Sequence, residues 1–210
     1  MEYDMQIERK VRLLLIRHGQ TAGNLEGRFN GCRTDEPLCP EGREALEERR
    51  MEDGSEYIFT SPMKRCMETA ELLYPGMPKR ILPTMREMDF GRFEGRNHAE
   101  LDGDPEYQAW IDSGGKNGFP GGEDRKSFSL RTMAAFRVML NLLPEEAEGQ
   151  LRVALVCHGG NIMAIMSELT GNGFYDYLVK NGEGYELTFS MTGDTIHDLS
   201  YHSLYTGGSA

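Results

Sequence analysis

A layered α/β sandwich is the fold predicted for this 210-residue chain, and three observations predict it. Two short apolar runs rich in branched residues, Val11–Ile16 and Leu151–Cys157, read as buried strands. Each run delivers a histidine and a glycine at its C-terminal end, as Arg17-His18-Gly19 and as His158-Gly159-Gly160. In α/β proteins that edge of a central strand is where ligands bind. Segments with helical spacing interleave with further short strands, the pattern of stacked helix and sheet layers.

The chain is long enough for a sizeable core and reads as one domain, 1–210, with a small cap-like insertion at about 90–122. Its 23 basic and 34 acidic residues give a formal charge of −11, which disfavours a nucleic-acid surface. A small anionic substrate stays compatible, because a local basic pocket can outweigh a distant acidic surface. The start, Met1–Lys10, is charged and carries no secretory signal. No apolar run reaches membrane-spanning length. Cys32, Cys39, Cys66 and Cys157 lack paired metal spacing, so a reduced, cytoplasmic setting is expected.

Taken in order, the first strand leads into a polar loop, Thr21–Pro40, punctuated by Gly23, Gly27, Gly31, Pro37 and Pro40. A loop that long is often functional. A short charged helix is expected over Arg43–Met51 and a strand over Tyr57–Thr60. Ser61-Pro62 reads as an N-cap with proline at the first helical position, opening a helix over Met63–Tyr74. Arg80–Leu82 is a third short strand. Ala99–Trp110 carries a helix broken by Pro105, and Asp112–Gly122 is a glycine-rich loop. Together they form an insertion expected to roof the C-terminal edge of the sheet. Phe128, Met133, Phe136, Leu140 and Leu143 recur at helical spacing, which predicts a helix over Glu123–Leu143. An acidic turn, Pro144–Gln150, precedes the second motif strand, and Asn161–Leu169 follows it as a helix. Gly184–Phe189 and Thr195–Leu199 suggest a late hairpin, a candidate homodimer edge. Tyr201–Ala210 reads as a loose tail.

The chemistry starts with Arg17 and His18. A neutral, correctly aimed imidazole can attack phosphorus, and a neighbouring guanidinium offers a donor fork for phosphoryl oxygens. Gly19 allows the turn to approach a ligand closely. At the second strand, amides at the start of the helix after His158, Gly159 among them, can also face an anion. Clustering Arg17, His18 and His158 in an acidic protein is costly unless an anion neutralises them.

These residues resemble the signatures of the histidine phosphatase superfamily, the group that holds cofactor-dependent phosphoglycerate mutases and small-substrate phosphatases. Arg17-His18-Gly19-Gln20-Thr21 matches the motif whose histidine becomes phosphorylated. Ser61-Pro62-Met63-Lys64-Arg65-Cys66-Met67-Glu68-Thr69-Ala70 resembles the next motif, and Val156-Cys157-His158-Gly159-Gly160 the last. The resemblance implies a three-layer α/β/α sandwich with a mostly parallel sheet. It implies His18 as nucleophile, Glu87 as proton donor and His158 as second catalytic histidine. Arg17, Asn24, Arg65 and Gly159 would bind the phosphoryl group, with no cofactor and no metal. Gln20 stands where many relatives have glutamate.

Other residues stay open. Glu94 is an alternative acid to Glu87. Arg92 and Arg96 are either contacts for a second anionic group or a solvated charge run. Glu123 either caps the following helix or lines the pocket, and Asp124 receives no role. Cys157 reads as a packed strand residue, and His98, His197 and His202 as structural or exposed. Phe93, Tyr107, Trp110 and Phe119 divide between pocket wall and core. The segment 90–122 lacks the basic, aromatic and proline-rich stretch of the mutases. Phe93-Glu94-Gly95 and Gly121-Gly122-Glu123 instead resemble phosphatases such as those acting on α-ribazole phosphate. The expected function is therefore hydrolysis of small phosphomonoesters. A mutase, a phosphoprotein phosphatase and a non-catalytic phosphate-binding module are the alternatives.

Overall fold

A computed structural model describes residues 7–49, 51–145 and 149–204. Among them, one six-stranded sheet has the order β3-β2-β4-β1-β5-β6. The strands are β1 (Glu8–Arg17), β2 (Tyr57–Thr60), β3 (Lys79–Ile81), β4 (Gln150–Cys157), β5 (Gly184–Thr192) and β6 (Thr195–Leu204). The first four in spatial order run parallel, and the β5–β6 hairpin is added antiparallel to β1.

The three layers follow from the alternation of side chains along β1. Val11, Leu13 and Leu15 face one side, where they join Met133, Phe136, Met139, Ile162 and Ile165. Those residues come from α6 (Arg125–Asn141) and α7 (Gly159–Thr170). Leu14 and Ile16 face the other side with Leu46, Cys66, Ala70 and Leu73, from α2 (Pro40–Glu47) and α3 (Lys64–Leu73). A strand covered on both faces reads as a continuous apolar run rather than an alternating one. That is why Val11–Ile16 shows no polar interruption beyond Arg12, whose guanidinium pairs with Glu186 at 2.8 Å.

The chain after β1 crosses to the α2 face, and the chain after the adjacent β4 crosses to the α7 face. This divergence opens a crevice at the C-terminal ends of two neighbouring parallel strands. The three-layer, mostly parallel sandwich is the predicted architecture.

Several local expectations are corrected. The Thr21–Pro40 loop contains a one-turn helix, α1 (Ala22–Leu25), closed by a reciprocal Thr21/Asn24 capping box. The helical stretch is interrupted before Pro105, which opens α5 (Pro105–Asp112) after the separate turn α4 (His98–Leu101). The long helix starts at Arg125 and is capped by Asp124, whose Oδ1 accepts from the Ser127 amide at 2.7 Å. Ser61 is not the N-cap of α3, because Pro62 and Met63 stay extended or bent and the helix begins at Lys64. The hairpin is longer than its apolar pattern suggests, and pairing continues through Tyr201 to Leu204 where a tail was expected. The start before Ile7, the centre of the 144–150 turn and the tail beyond Leu204 lie outside the described residues.

Candidate active site

The parallel β1–β4 ladder sets Arg17 opposite Cys157. The next residue of each strand, His18 and His158, therefore emerges at the same point of the crevice. The His18 amide donates to the Cys157 carbonyl at 2.9 Å, and the two rings lie 5.2 Å apart at 68°. Both histidines are buried.

Hydrogen bonding fixes the state of His18. Its Nδ1 lies 2.7 Å from the Gly19 carbonyl, which can only accept, so Nδ1 carries the proton and Nε2 holds the lone pair. Burial, then Arg65 and Arg17, push His18 well below the usual imidazole range. The ring is neutral and nucleophilic at neutral pH. The Gly19 amide donates to Thr69 Oγ1 at 2.9 Å, which ties the turn to α3. His158 is also pushed well down, by burial and then by Arg65 and His18. Its Nε2 shares a 2.8 Å hydrogen bond with Ser61 Oγ.

Three cationic or polar groups surround the pair. Arg17 donates through Nη1 to the Val179 carbonyl at 2.7 Å, while its buried Nε has no protein acceptor. Arg65 is 1% exposed and is held by the carbonyls of Thr34 at 2.8 Å and Gly31 at 3.1 Å. Asn24 accepts through Oδ1 from the Thr21 amide at 3.2 Å and from Asn181 Nδ2 at 2.9 Å. With both bonds on Oδ1, its own Nδ2 remains a donor for an anion. Two guanidiniums, two imidazoles and the N-terminus of α7 at Gly159 thus converge where, among the described residues, Glu87 supplies the negative charge. An unpaired buried guanidinium costs several kcal/mol, and a phosphoryl dianion removes that cost while accepting from every donor.

Glu87 completes the set. It accepts from the Met88 amide at 2.8 Å and the Gly160 amide at 3.3 Å. Burial raises its carboxyl above the usual range, against the opposing pull of Met88, Arg65, Gly160 and Arg17. A carboxyl raised by burial holds its proton more tightly than a solvated one, which suits it to act as an acid. Gly160 leaves room for the carboxylate in this position, because a Cβ there would lie 2.4 Å from Glu87 Oε1 and push it aside.

The structure brings His18, Glu87, His158, Arg17, Asn24, Arg65 and Gly159 to one crevice. It moves other candidates elsewhere. Glu94 accepts from the amides of Gly31, Arg33 and Thr34 at 2.8–3.1 Å, so it knots the 30s loop and is committed to backbone. Arg92 pairs with Glu106, and Arg96 with Asp104 at 3.6 Å. Glu123 neither caps the helix nor lines the cleft. It pairs with Arg131 at 2.7 Å and accepts from the Asp89 amide. Arg131 in turn donates to the carbonyls of Thr84, Arg86 and Glu87, which fixes the backbone that carries Glu87. Arg131 and Asn181 carry no signal in the sequence, and Ser61 and Thr69 stand in a motif without a role of their own. Asn181 also donates to the His18 and Gly19 carbonyls, a long-range contact with no local signal. Ser61 stands in the sequence as a helix start and as part of a motif, with nothing to mark its contact with His158.

A cleft of about 260 Å³ opens at Arg17, Glu87, Gly159 and Gly160. A larger cavity of about 430 Å³ on the α2 side shares Arg17 but is not lined by Glu87; the smaller cleft is the one that joins Glu87 to the start of α7. Among the described residues, the grouping with metal-ligand geometry is Glu8, His197 and Asp198. It sits at the opposite end of β1 from His18. Among the same residues no helix is long and apolar enough to cross a membrane.

A nucleophilic imidazole, a ring of phosphate-binding cations and a carboxyl raised by burial define a phosphohistidine-type phosphoryl-transfer fold. The chain belongs to the histidine phosphatase superfamily (branch 1), whose description matches residues 13–200. It is 31% identical over 168 residues to the probable phosphoglycerate mutase GpmB of Cronobacter sakazakii, covering 77% of this chain and 75% of that protein. It is 29% identical over 169 residues to the adenosylcobalamin/alpha-ribazole phosphatase of Escherichia coli, covering 77% and 80%. Among solved structures it is similar to the alpha-ribazole phosphatase of Shigella flexneri, with a TM-score of 0.73, 25% identity and coverage of 89% and 93%.

Proposed function

We propose that the protein is a metal-independent phosphomonoesterase that hydrolyses small phosphorylated metabolites through a phosphohistidine on His18. The observation that carries this is the His18 tautomer: the Gly19 carbonyl holds the proton on Nδ1 and leaves the Nε2 lone pair among Arg17, Arg65 and His158. Nε2 forms the N–P bond as the ester P–O bond breaks, and Glu87 gives its proton to the departing alkoxide. Arg17, Arg65, His158, Asn24 and the Gly159 amide hold the equatorial oxygens. The Glu87 carboxylate then takes a proton from water, whose oxygen displaces His18 from phosphorus. Phosphate leaves, with His18 neutral and Glu87 protonated again. Segment 90–122 acts as a cap, and the free cysteines fit a reduced, cytoplasmic setting.

Mutase chemistry is the second reading, favoured by the names of some relatives. A phosphoglycerate would need cations for its carboxylate and second phosphoryl group. Arg17 is the one basic residue lining the cleft among those described, and Arg33, Arg92 and Arg96 are spent on acids.

The test is phosphate release, with chelator present, from α-ribazole phosphate, sugar phosphates and 3-phosphoglycerate. A parallel sample primed with bisphosphoglycerate is followed for 2-phosphoglycerate. Chelator-resistant hydrolysis outrunning isomerisation is expected. Isomerisation outrunning hydrolysis would make the protein a mutase.

A further inference from the structure

Arg17 and Val179 line both cavities, the cleft at Glu87 and the larger one on the α2 side. The larger, about 430 Å³, is also lined by Arg49 and Lys180, and no carboxylate lines it among the described residues. Elsewhere on the chain Arg33, Arg43, Arg131 and Arg152 are each paired with an acid. Arg17, Arg49 and Lys180 form no ion pair among the described residues. Glu183 Oε2 accepts from the Lys180 backbone amide at 3.3 Å and does not line the cavity. Cations facing one space without an acid stand out in a chain of net charge −11. The wall that carries them is fixed to the catalytic turn. The Gly182 amide donates to the Arg17 and His18 carbonyls at 3.1 and 3.2 Å, and Asn181 Nδ2 to those of His18 and Gly19. Gly182 has φ +77°, and a Cβ there would lie 3.0 Å from Arg49 Nη1, so glycine at this turn seats the half-buried Arg49 guanidinium close against it. Arg17 Nε lies by Gly159, where a Cβ would sit 3.6 Å away. That atom serves the phosphoryl end, which leaves Arg49 and Lys180 as the cavity's own cations.

We propose that this cavity is a second anion site, which holds a small dianion such as inorganic phosphate between Arg49 and Lys180, separate from the phosphoryl crevice at His18. The site stands whether or not the crevice hydrolyses esters. A guanidinium fork and an ammonium together match the charge and the oxygens of such an ion. The side-chain amide of Gln20, another lining residue, can add a neutral donor. An uncharged ligand would leave the cations without counter-charge, and a cationic one would be repelled. The acidic surface repels anions at long range, so binding depends on local cations with no competing acid, and that is the lining this cavity has.

Equilibrium dialysis against labelled inorganic phosphate counts the sites without turnover. Wild-type protein is expected to bind two phosphates per chain, one in the crevice and one in the cavity. Arg49→Gln combined with Lys180→Gln should weaken the second by about tenfold or more, since both charge-assisted contacts are lost. The first phosphate should stay within about twofold of wild type, and so should kcat/KM for p-nitrophenyl phosphate, because neither side chain lines the cleft at Glu87. Gln20→Glu, a near-isosteric change, sets a carboxylate in the wall and should also weaken the second phosphate by about tenfold or more. Loss in both variants separates charge from shape. One phosphate per chain in the wild type through the millimolar range would overturn the inference. So would a second phosphate that all three substitutions leave in place. Two phosphates bound by a protein that hydrolyses no ester would leave the cavity site standing and remove the phosphatase reading. A single phosphate with full hydrolysis would do the reverse.

Discussion

Replacing His18 by alanine is expected to abolish phosphate release, with a loss of about 10⁴-fold or more, the scale seen when a covalent nucleophile is deleted. The reason lies in how completely the turn is built around that ring. The backbone of His18 is held by Cys157 and by Asn181. Its Nδ1 proton is held by Gly19, and the adjoining amide by Thr69. Arg17 and Arg65 have no lone pair to give, His158 shares its Nε2 with Ser61, and the Glu87 oxygens accept from the Met88 and Gly160 amides. The variant should still bind inorganic phosphate, because the arginines and Asn24 remain. Calorimetry with phosphate, alongside a colorimetric assay for release, separates lost chemistry from lost folding. Turnover by His18→Ala within about tenfold of wild type would remove the covalent mechanism.

Glu87→Gln is expected to lower kcat/KM for an alkyl phosphate by about 10²- to 10⁴-fold, the usual contribution of a positioned acid or base. The same substitution should cost far less with p-nitrophenyl phosphate, whose leaving group needs little protonation. This contrast distinguishes a proton donor from a residue that merely supports the site, since structural damage would slow both esters alike. The pH profile carries the same information. Glu87 sits above its usual value because it is buried, and it is active as the protonated acid in the first step. Wild-type kcat/KM for an alkyl ester should therefore hold until pH rises through that raised value and then fall. His18 sits below its usual value, so the nucleophile stays neutral until pH drops well under about 6.5. Glu87→Gln should lack the alkaline fall. An alkaline limb that persists in the variant would assign it to another group.

What the sequence made legible, and what it hid, follows from the range of the interactions. The β1 and β4 motifs were readable because strand burial on both faces leaves a continuous apolar run, and each run ends at the chemistry. Parallel pairing then placed His18 beside His158 without any further information. Glu87, Asn24 and Arg65 entered through motif resemblance, since one glutamate or arginine among many carries no local mark. Positioning residues were the hardest to see. Arg131 lies on a helix whose spacing signals only its apolar face, and its role depends on carbonyls some 45 residues away. Glu94 looked like a rival acid because it is close in sequence to Glu87. Its carboxylate is saturated by backbone amides of a loop that sequence spacing cannot bring near. The assignment of Glu123 rather than Asp124 as the helix cap erred by one residue, and the hydrogen-bond geometry at Ser127 decides it. The hairpin end at Leu204 was underestimated because β6 is exposed along most of its length, which removes the apolar alternation that marks a strand.

The most direct measurement is to quench a single turnover with substrate labelled on phosphorus and to map the label by peptide mass spectrometry. An acid-labile, alkali-stable label on the peptide that contains His18, absent from His18→Ala and prolonged in Glu87→Gln, is the predicted result. Phosphate released with no labelled protein at any quench time, or a label on another residue, would contradict the account.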